Sequence, residues 1–290
     1  MLTEILIATL LRAELAGSAG VVLVMLLRPW TRWLIGPRLA YRLWLIPVVS
    51  ALASLWPTAL RFQTSFDIVS SAAGQSLGSG PALLAWSAGA LATAAIFVRA
   101  ELRFRRMERL TLAGPAVVGI WPRLVVPHDY ADRFSAAERR LIRRHEQAHM
   151  RRRDPVANLF VALASIAVWY NPLVHLARRA IRLDQELACD AVALEDGRVS
   201  RKAYGETLLK VQMESAGSWL ACAWTGVAGH PLELRVRLLA LRRPSLKRDL
   251  IGASAVSVLA VAAVALVLVL EPAAPHLAAF PWREALRFAQ

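Results

Sequence analysis

Two histidines four residues apart, with a glutamate directly after the first, are the part of this sequence best equipped for chemistry. They lie in the stretch Arg144–Asp154, RHEQAHMRRRD, as His145, Glu146 and His149 of an H-E-x-x-H motif. On an α-helix, residues four apart share a face with Cβ atoms about 5 to 6 Å apart, so both imidazoles can reach one tetrahedral ion. Glu146 can reach a water held on that ion. The pattern is that of zinc peptidases, with the histidines as metal ligands and the glutamate as general base. A motif this short also arises by chance, and its bland reading is a basic surface helix that carries two histidines.

The elements that would have to position these residues favour the metal. Ser135-Ala136-Ala137-Glu138 has the form of a capping box that starts a helix, and Asp154-Pro155 marks its end, so the motif falls inside a helix of suitable length. Leu141 and Ile142 lie one turn before His145 and set the histidines beside an apolar stripe. A catalytic zinc usually takes three protein ligands and leaves a position for water. A second helix offers the third. Asn171-Pro172 supplies an N-cap and a proline at the first helical position, and the helix should continue to near Gly197. It carries Glu186, 37 residues beyond His149, within Glu186-Leu187-Ala188-Cys189-Asp190. Asp190, one turn further on the same face, could accept a hydrogen bond from a ligand histidine and fix its tautomer. Alone, this acidic pair reads as a solvated edge; beside the histidine helix it reads as part of a metal site. His128, His175 and His230 have no ligand spacing to the cluster and are expected to be structural.

Composition points to a membrane. The chain has 290 residues, 57% of them hydrophobic, and a mean hydropathy of +0.43, too apolar for an ordinary soluble domain. Its net charge of +14 could suggest nucleic acid, but the basic residues cluster beside apolar segments, as cytoplasmic loops of membrane proteins require. No basic patch interleaved with aromatics is present, so direct nucleic-acid binding is not expected. Cys189 and Cys222 cannot form a disulfide framework and suit a reducing compartment.

The expected fold class is mainly α, in a multi-pass membrane protein. An N-terminal membrane region, 1–98, should hold three spans at about 5–27, 43–60 and 82–98, each near the roughly 20 residues a bilayer requires. Arg12 and Glu14 interrupt the first span and should lie near an interface or face other helices, while Ala16, Gly17, Ala19 and Gly20 permit close approach of a neighbour. Arg28, Arg32, Arg38 and Arg42 mark a cytoplasmic loop, Pro47 a kink in the second span, and the Ser- and Gly-rich 61–81 an external connection. Residues 99–249 then form a cytoplasmic domain. In it, Pro115–Pro127 (PAVVGIWPRLVVP) reads as a small β-ribbon, either structural or an edge that pairs with an extended substrate. The apolar run 156–170 is short for a span. A full crossing there would put the two motif helices on opposite sides of the membrane, so it should be re-entrant or buried. Tyr204–Gln212 and Leu232–Leu241 are helical in pattern, 250–270 is a fourth span, and 271–290 a short external tail. Both termini are then external, and Arg143, Arg144 and Arg151–Arg153 serve as anchors to the membrane face.

With these residues in place, the chain resembles the BlaR/MecR-type antirepressor membrane zinc metallopeptidases. The resemblance rests on HEQAHMRRRDP, on WYNPLVHLARRAIRLDQELACD, on GIWPRLVVP and ELRVRLLALRRP, and on three spans before the motif and one after it. It implies a gluzincin-like site facing the cytoplasm of a bacterial inner membrane, with Zn²⁺ held by His145, His149 and Glu186 and with Glu146 as base. The implied substrate is a cytoplasmic DNA-binding repressor, or the chain itself between Gly197 and Arg248. The family's sensor members carry an external penicillin-binding domain after the last span, for which the 20 residues of 271–290 leave no room, so β-lactam sensing is not expected of this sequence. The rival enzyme class, CAAX-processing and heat-shock quality-control proteases, shares H-E-x-x-H and a downstream glutamate; Cys189-Asp190 and the NPL stretch favour the first. A non-catalytic signalling scaffold would be recognised by the absence of stoichiometric zinc.

Overall fold

The computed structural model describes residues 2–55, 80–195, 200–212 and 222–223, together with Ser254 and Val258, which are helical. Expectations for Leu232–Leu241, His230 and the tail, and most of those for 61–81 and 250–270, lie outside these residues. The described chain is mainly helical, and three of its helical stretches are long and apolar enough to cross a membrane: Thr9–Leu34, Pro37–Leu55 and Gly80–Arg109. It divides into two compact units, one holding residues 2–24, 45–55 and 80–86 and the other 25–44, 87–195, 200–212 and 222–223.

In the first unit, α1 (Leu2–Leu34) runs beside α3 (Leu45–Leu55). A Cβ at Gly20 would come within 2.8 Å of the Pro47 backbone, so only glycine permits this approach. Arg12 donates from Nη2 to the Ser54 carbonyl, so its head group is turned toward α3, as a charged residue in an apolar helix requires. Pro47 lies in the first turn of α3, where its missing N–H leaves no helical bond unmade. The break expected of it falls just before, at Leu43-Trp44.

The second unit begins with the last turns of α1. Arg28 and Arg32 were expected in a loop, but the helix carries them to Leu34. Both are buried, against Asp184, and this ion pairing supplies the reason the helix continues. A short helix, α2 (Pro37–Arg42), follows with proline at its start and packs on α8 (Pro172–Ala193). The third apolar stretch and the basic stretch after it form one 30-residue helix, α4 (Gly80–Arg109).

The expected ribbon is present as β1 (Ala116–Val118) and β2 (Arg123–Val125), antiparallel with Val117 opposite Leu124, and turned through Gly119 at φ 89°. β3 (Cys222–Ala223) pairs with the other side of β1, giving the order β2-β1-β3. After one turn of helix, α5 (Tyr130–Arg133), comes α6 (Ala136–Arg152), and the capping box forms as its sequence dictates: Ser135 Oγ accepts from Glu138 N–H while the Glu138 carboxylate accepts from Ser135 N–H. Arg153, at φ 55°, ψ 41°, ends α6 in a left-handed cap and turns the chain directly into α7 (Asp154–Ala167). α8 starts as expected, the Asn171 side chain accepting from Leu173 N–H, and stops at Ala193 rather than Gly197. α9 (Arg201–Gln212) then closes over α6. Phe134, Leu141, Ile142, Leu194, Tyr204 and Leu208 form the apolar core between α6, the end of α8 and α9.

Candidate metal centre

α6 and α8 cross so that three side chains converge. His145 and His149 are fully buried, with Nε2 atoms 3.2 Å apart. Glu186, 3% exposed, sets Oε2 3.4 Å from Nε2 of His145 and Oε1 3.6 Å from Nε2 of His149. Zinc–nitrogen and zinc–oxygen bonds of about 2.0 to 2.1 Å imply ligand–ligand edges of roughly 3.3 Å in a tetrahedron. The Nε2–Nε2 separation of 3.2 Å is of that size, and Glu186 turns one carboxylate oxygen toward each ring, at 3.4 and 3.6 Å, so two nitrogens and a carboxylate converge as donors suited to a divalent ion.

The other ring nitrogens are committed elsewhere, which leaves both Nε2 atoms for the metal. Tyr204, fully buried, donates its hydroxyl hydrogen to Asp190 Oδ1 at 2.7 Å. Its oxygen can therefore accept from His145 Nδ1, 2.9 Å away, and Asp190 lies 3.2 Å from the same nitrogen. His149 Nδ1 donates to Asp154 Oδ2 at 2.7 Å. Such outer partners fix the tautomer and the ring orientation. Burial works against a charge on either imidazole. For His145 the bonds to Asp190 and Glu186 outweigh it and push the pKa up to about 9, whereas for His149 burial prevails and lowers it despite Asp154. Glu146 is fully buried beside His145 on α6.

A second grouping, His145, His149 and Cys189, has its donor atoms within 4.8 Å of one another. Glu186 turns its carboxylate between the two rings, one oxygen 3.4 Å from His145 Nε2 and the other 3.6 Å from His149 Nε2. Cys189 Sγ instead meets Arg152 Nη2 at 2.8 Å. Arg152 was expected to anchor the domain to the membrane, but it turns inward. It bonds Asp154 and the Gln185 carbonyl and lies 5.0 Å over the Tyr41 ring. Burial opposes its charge, and Cys189, Asp154 and Tyr41 overcome that and raise its pKa.

α2 completes the surroundings. Tyr41 donates to Asp154 at 3.2 Å and accepts from Gln185 Nε2 at 3.1 Å, linking the partner of His149 to the residue before Glu186. Two positions before Glu186, Asp184 accepts from Arg32 Nε at 2.6 Å and from Trp44 Nε1 at 2.7 Å, with Arg28 at 3.5 Å. All five residues named from the sequence thus lie on α6 and α8, and four of them touch. Asp154, Tyr204, Tyr41 and Asp184 were missed. Asp154, five residues after His149, was legible only as a helix end, and Tyr204, 59 positions from His145, has no local signature. His128 and His175 stay apart from the cluster, on the carbonyls of Thr111 and Trp169.

The segment that carries these residues is also the one that resembles known proteins. Residues 105–239 match the family model described as BlaR1 peptidase M56. Two curated relatives share the name regulatory protein BlaR1. The one from Bacillus licheniformis is 33% identical over 117 residues, 38% of this chain and 19% of that protein. The one from Staphylococcus aureus is 30% identical over 87 residues, 30% of this chain and 15% of that protein. The match thus spans less than a fifth of either relative's length. The segment 105–239, a little under half of the chain, contains His145, His149, Glu186 and the outer partners Asp154, Asp190 and Tyr204, and it is in this segment that the membrane protein resembles the BlaR1 peptidase M56 family.

Proposed function

We propose that the chain is a zinc-dependent endopeptidase whose site lies on the cytoplasmic side of a bacterial membrane and whose substrate is a regulatory protein, a DNA-binding repressor by the family resemblance. The triangle of His145, His149 and Glu186 carries the reading. Zinc bound there would supply a water of lowered pKa and a Lewis acid for the scissile carbonyl. Glu146, buried next to the first ligand, would serve as the general base, its carboxylate holding a proton drawn from water and returning it to the leaving amine. Tyr204 and Asp190 on one side, and Asp154 on the other, hold the two imidazoles with Nε2 turned inward. The cytoplasmic orientation is supported by the basic residues that follow two apolar stretches, Arg28 and Arg32 at the end of α1 with Arg38 and Arg42 on α2, and Arg99 to Arg109 at the end of α4.

A second substrate, the chain itself, is favoured by β3. This segment lies inside the region expected for self-cleavage, adds to β1 as an antiparallel strand and packs against α6, the manner in which an extended peptide is bound by strand addition.

Peptide termini in cells expressing the wild type should include a cytoplasmic cleavage product that is absent with Glu146→Ala. Identical sets of termini in the two strains would remove the peptidase reading.

A further inference from the structure

The hairpin of α7 and α8 carries its apolar side in an unusual place. The buried stripe of α7 is polar or small, running through Asp154, Asn158, Ala162 and Ser165, while Phe160 and Leu163 are 67% and 51% exposed. A helix inside a soluble core would show the reverse. What surrounds the tip is set by α4. A Cβ at Gly89 would come within 2.1 Å of the Trp169 indole, so Trp169 at the α7–α8 turn lies flat on the Gly89 backbone. Gly89 is about 14 Å along α4 from Gly80 at 1.5 Å per residue, near the middle of its apolar stretch. Further down the same helix, Phe97 meets Arg178 of α8, whose guanidinium carbon lies 5.3 Å from the ring centroid. From Gly89 to Phe97 is about 12 Å of helix and from Trp169 to Arg178 about 13 Å, so the two contacts run in the same direction along α4 and α8 with matching spacing.

The turn meets several of its own backbone groups. Val168 N–H bonds the Ala164 carbonyl, Asn171 N–H bonds the Val168 carbonyl, Asn171 caps Leu173 N–H, and the carbonyl of Trp169 accepts from His175 Nε2 at 2.7 Å. Ser165 returns its hydroxyl to the Val161 carbonyl. Irregular backbone at membrane depth requires this internal satisfaction.

We infer that α7 and the first half of α8 form a re-entrant hairpin whose tip reaches the hydrocarbon centre beside α4, with Phe160 and Leu163 facing acyl chains. The lengths agree with this. Asp154 to Ala167 and Pro172 to Glu186 each span about 20 Å, and half the hydrocarbon core is about 15 Å. The Asp154 and Glu186 ends therefore emerge roughly 5 Å beyond it, among the headgroups. On the peptidase reading above, which this consequence alone rests on, a substrate must present its peptide bond at the membrane surface.

The test is nitroxide depth measurement on the full chain in phospholipid vesicles, in a Cys222→Ser background that leaves buried Cys189 in place. Labels are attached singly at Arg151→Cys, Phe160→Cys, Leu163→Cys and Tyr170→Cys. Oxygen accessibility should rise, and accessibility to a water-soluble nickel chelate should fall at least several-fold, in that order. A flat profile with Leu163 and Tyr170 as open to nickel as Arg151 overturns the inference. So does protection of Leu163 from both reagents, which would mean that protein covers this face. The same profile is expected of the Glu146→Ala chain, so insertion is judged independently of peptidase activity.

Discussion

Glu186→Ala is expected to lose its zinc, while Cys189→Ala keeps it. The two residues are one turn apart on α8 and both come near the histidines, so the pair of substitutions separates the two ligand sets that the fold offers. Removing a carboxylate whose oxygens sit 3.4 and 3.6 Å from the two Nε2 atoms leaves a two-histidine site, one short of the three protein ligands a catalytic zinc usually takes. The loss of affinity should exceed the roughly 10- to 100-fold that removal of an outer partner produces. Cys189→Ala removes a partner of Arg152, which retains Asp154 and the Gln185 carbonyl. Zinc per chain after dialysis against a graded chelator is the readout, with helical content confirming that both variants fold. Retention by Glu186→Ala together with loss in Cys189→Ala would assign the site to the cysteine.

The second large effect falls on folding. Asp184 is completely buried and receives Arg32, Trp44 and Arg28, the first and last from the end of an apolar membrane helix. Asp184→Ala leaves two buried guanidinium groups without this carboxylate, a change that destabilises by about 3 to 5 kcal/mol. Against the roughly 5 to 15 kcal/mol of a typical domain this is a large fraction. The unfolding midpoint in detergent should drop accordingly, and Asp184→Leu combined with Arg32→Leu should recover part of the loss, because an apolar pair needs no countercharge. An unchanged midpoint for Asp184→Ala would mean that the cluster is solvated. Since Asp184 lies two residues before Glu186, the same cluster ties the first membrane helix to the proposed ligand helix.

The parts of this fold that sequence could reveal are those encoded locally. Ser135 with Glu138, and Asn171 with Pro172, announce the starts of α6 and α8 because a cap needs only its own first turn. The spacing of His145, Glu146 and His149 carries its own geometry. Hidden were the features that depend on distant residues meeting. The arginines at 28 and 32 looked like a loop because their partner, Asp184, is about 150 residues away; once paired, they belong to a helix that runs on to Leu34. Arg152 resembled its neighbours Arg151 and Arg153, yet the left-handed turn at Arg153 sends the chain back so that Arg152 faces Cys189 and Asp154. Tyr41 and Tyr204 reach the site from elements on either side of it in sequence, and no spacing rule joins them to the histidines.

Purified full-length chain, wild type and Glu146→Gln, assayed for zinc content and for hydrolysis of a regulatory protein substrate or of itself, tests the central claim most directly. One zinc per chain in both, with cleavage slowed at least 10²- to 10⁴-fold in Glu146→Gln, is the predicted result, that being the typical contribution of a general base. Absence of stoichiometric zinc from the wild type, or equal cleavage by the two proteins, would contradict it.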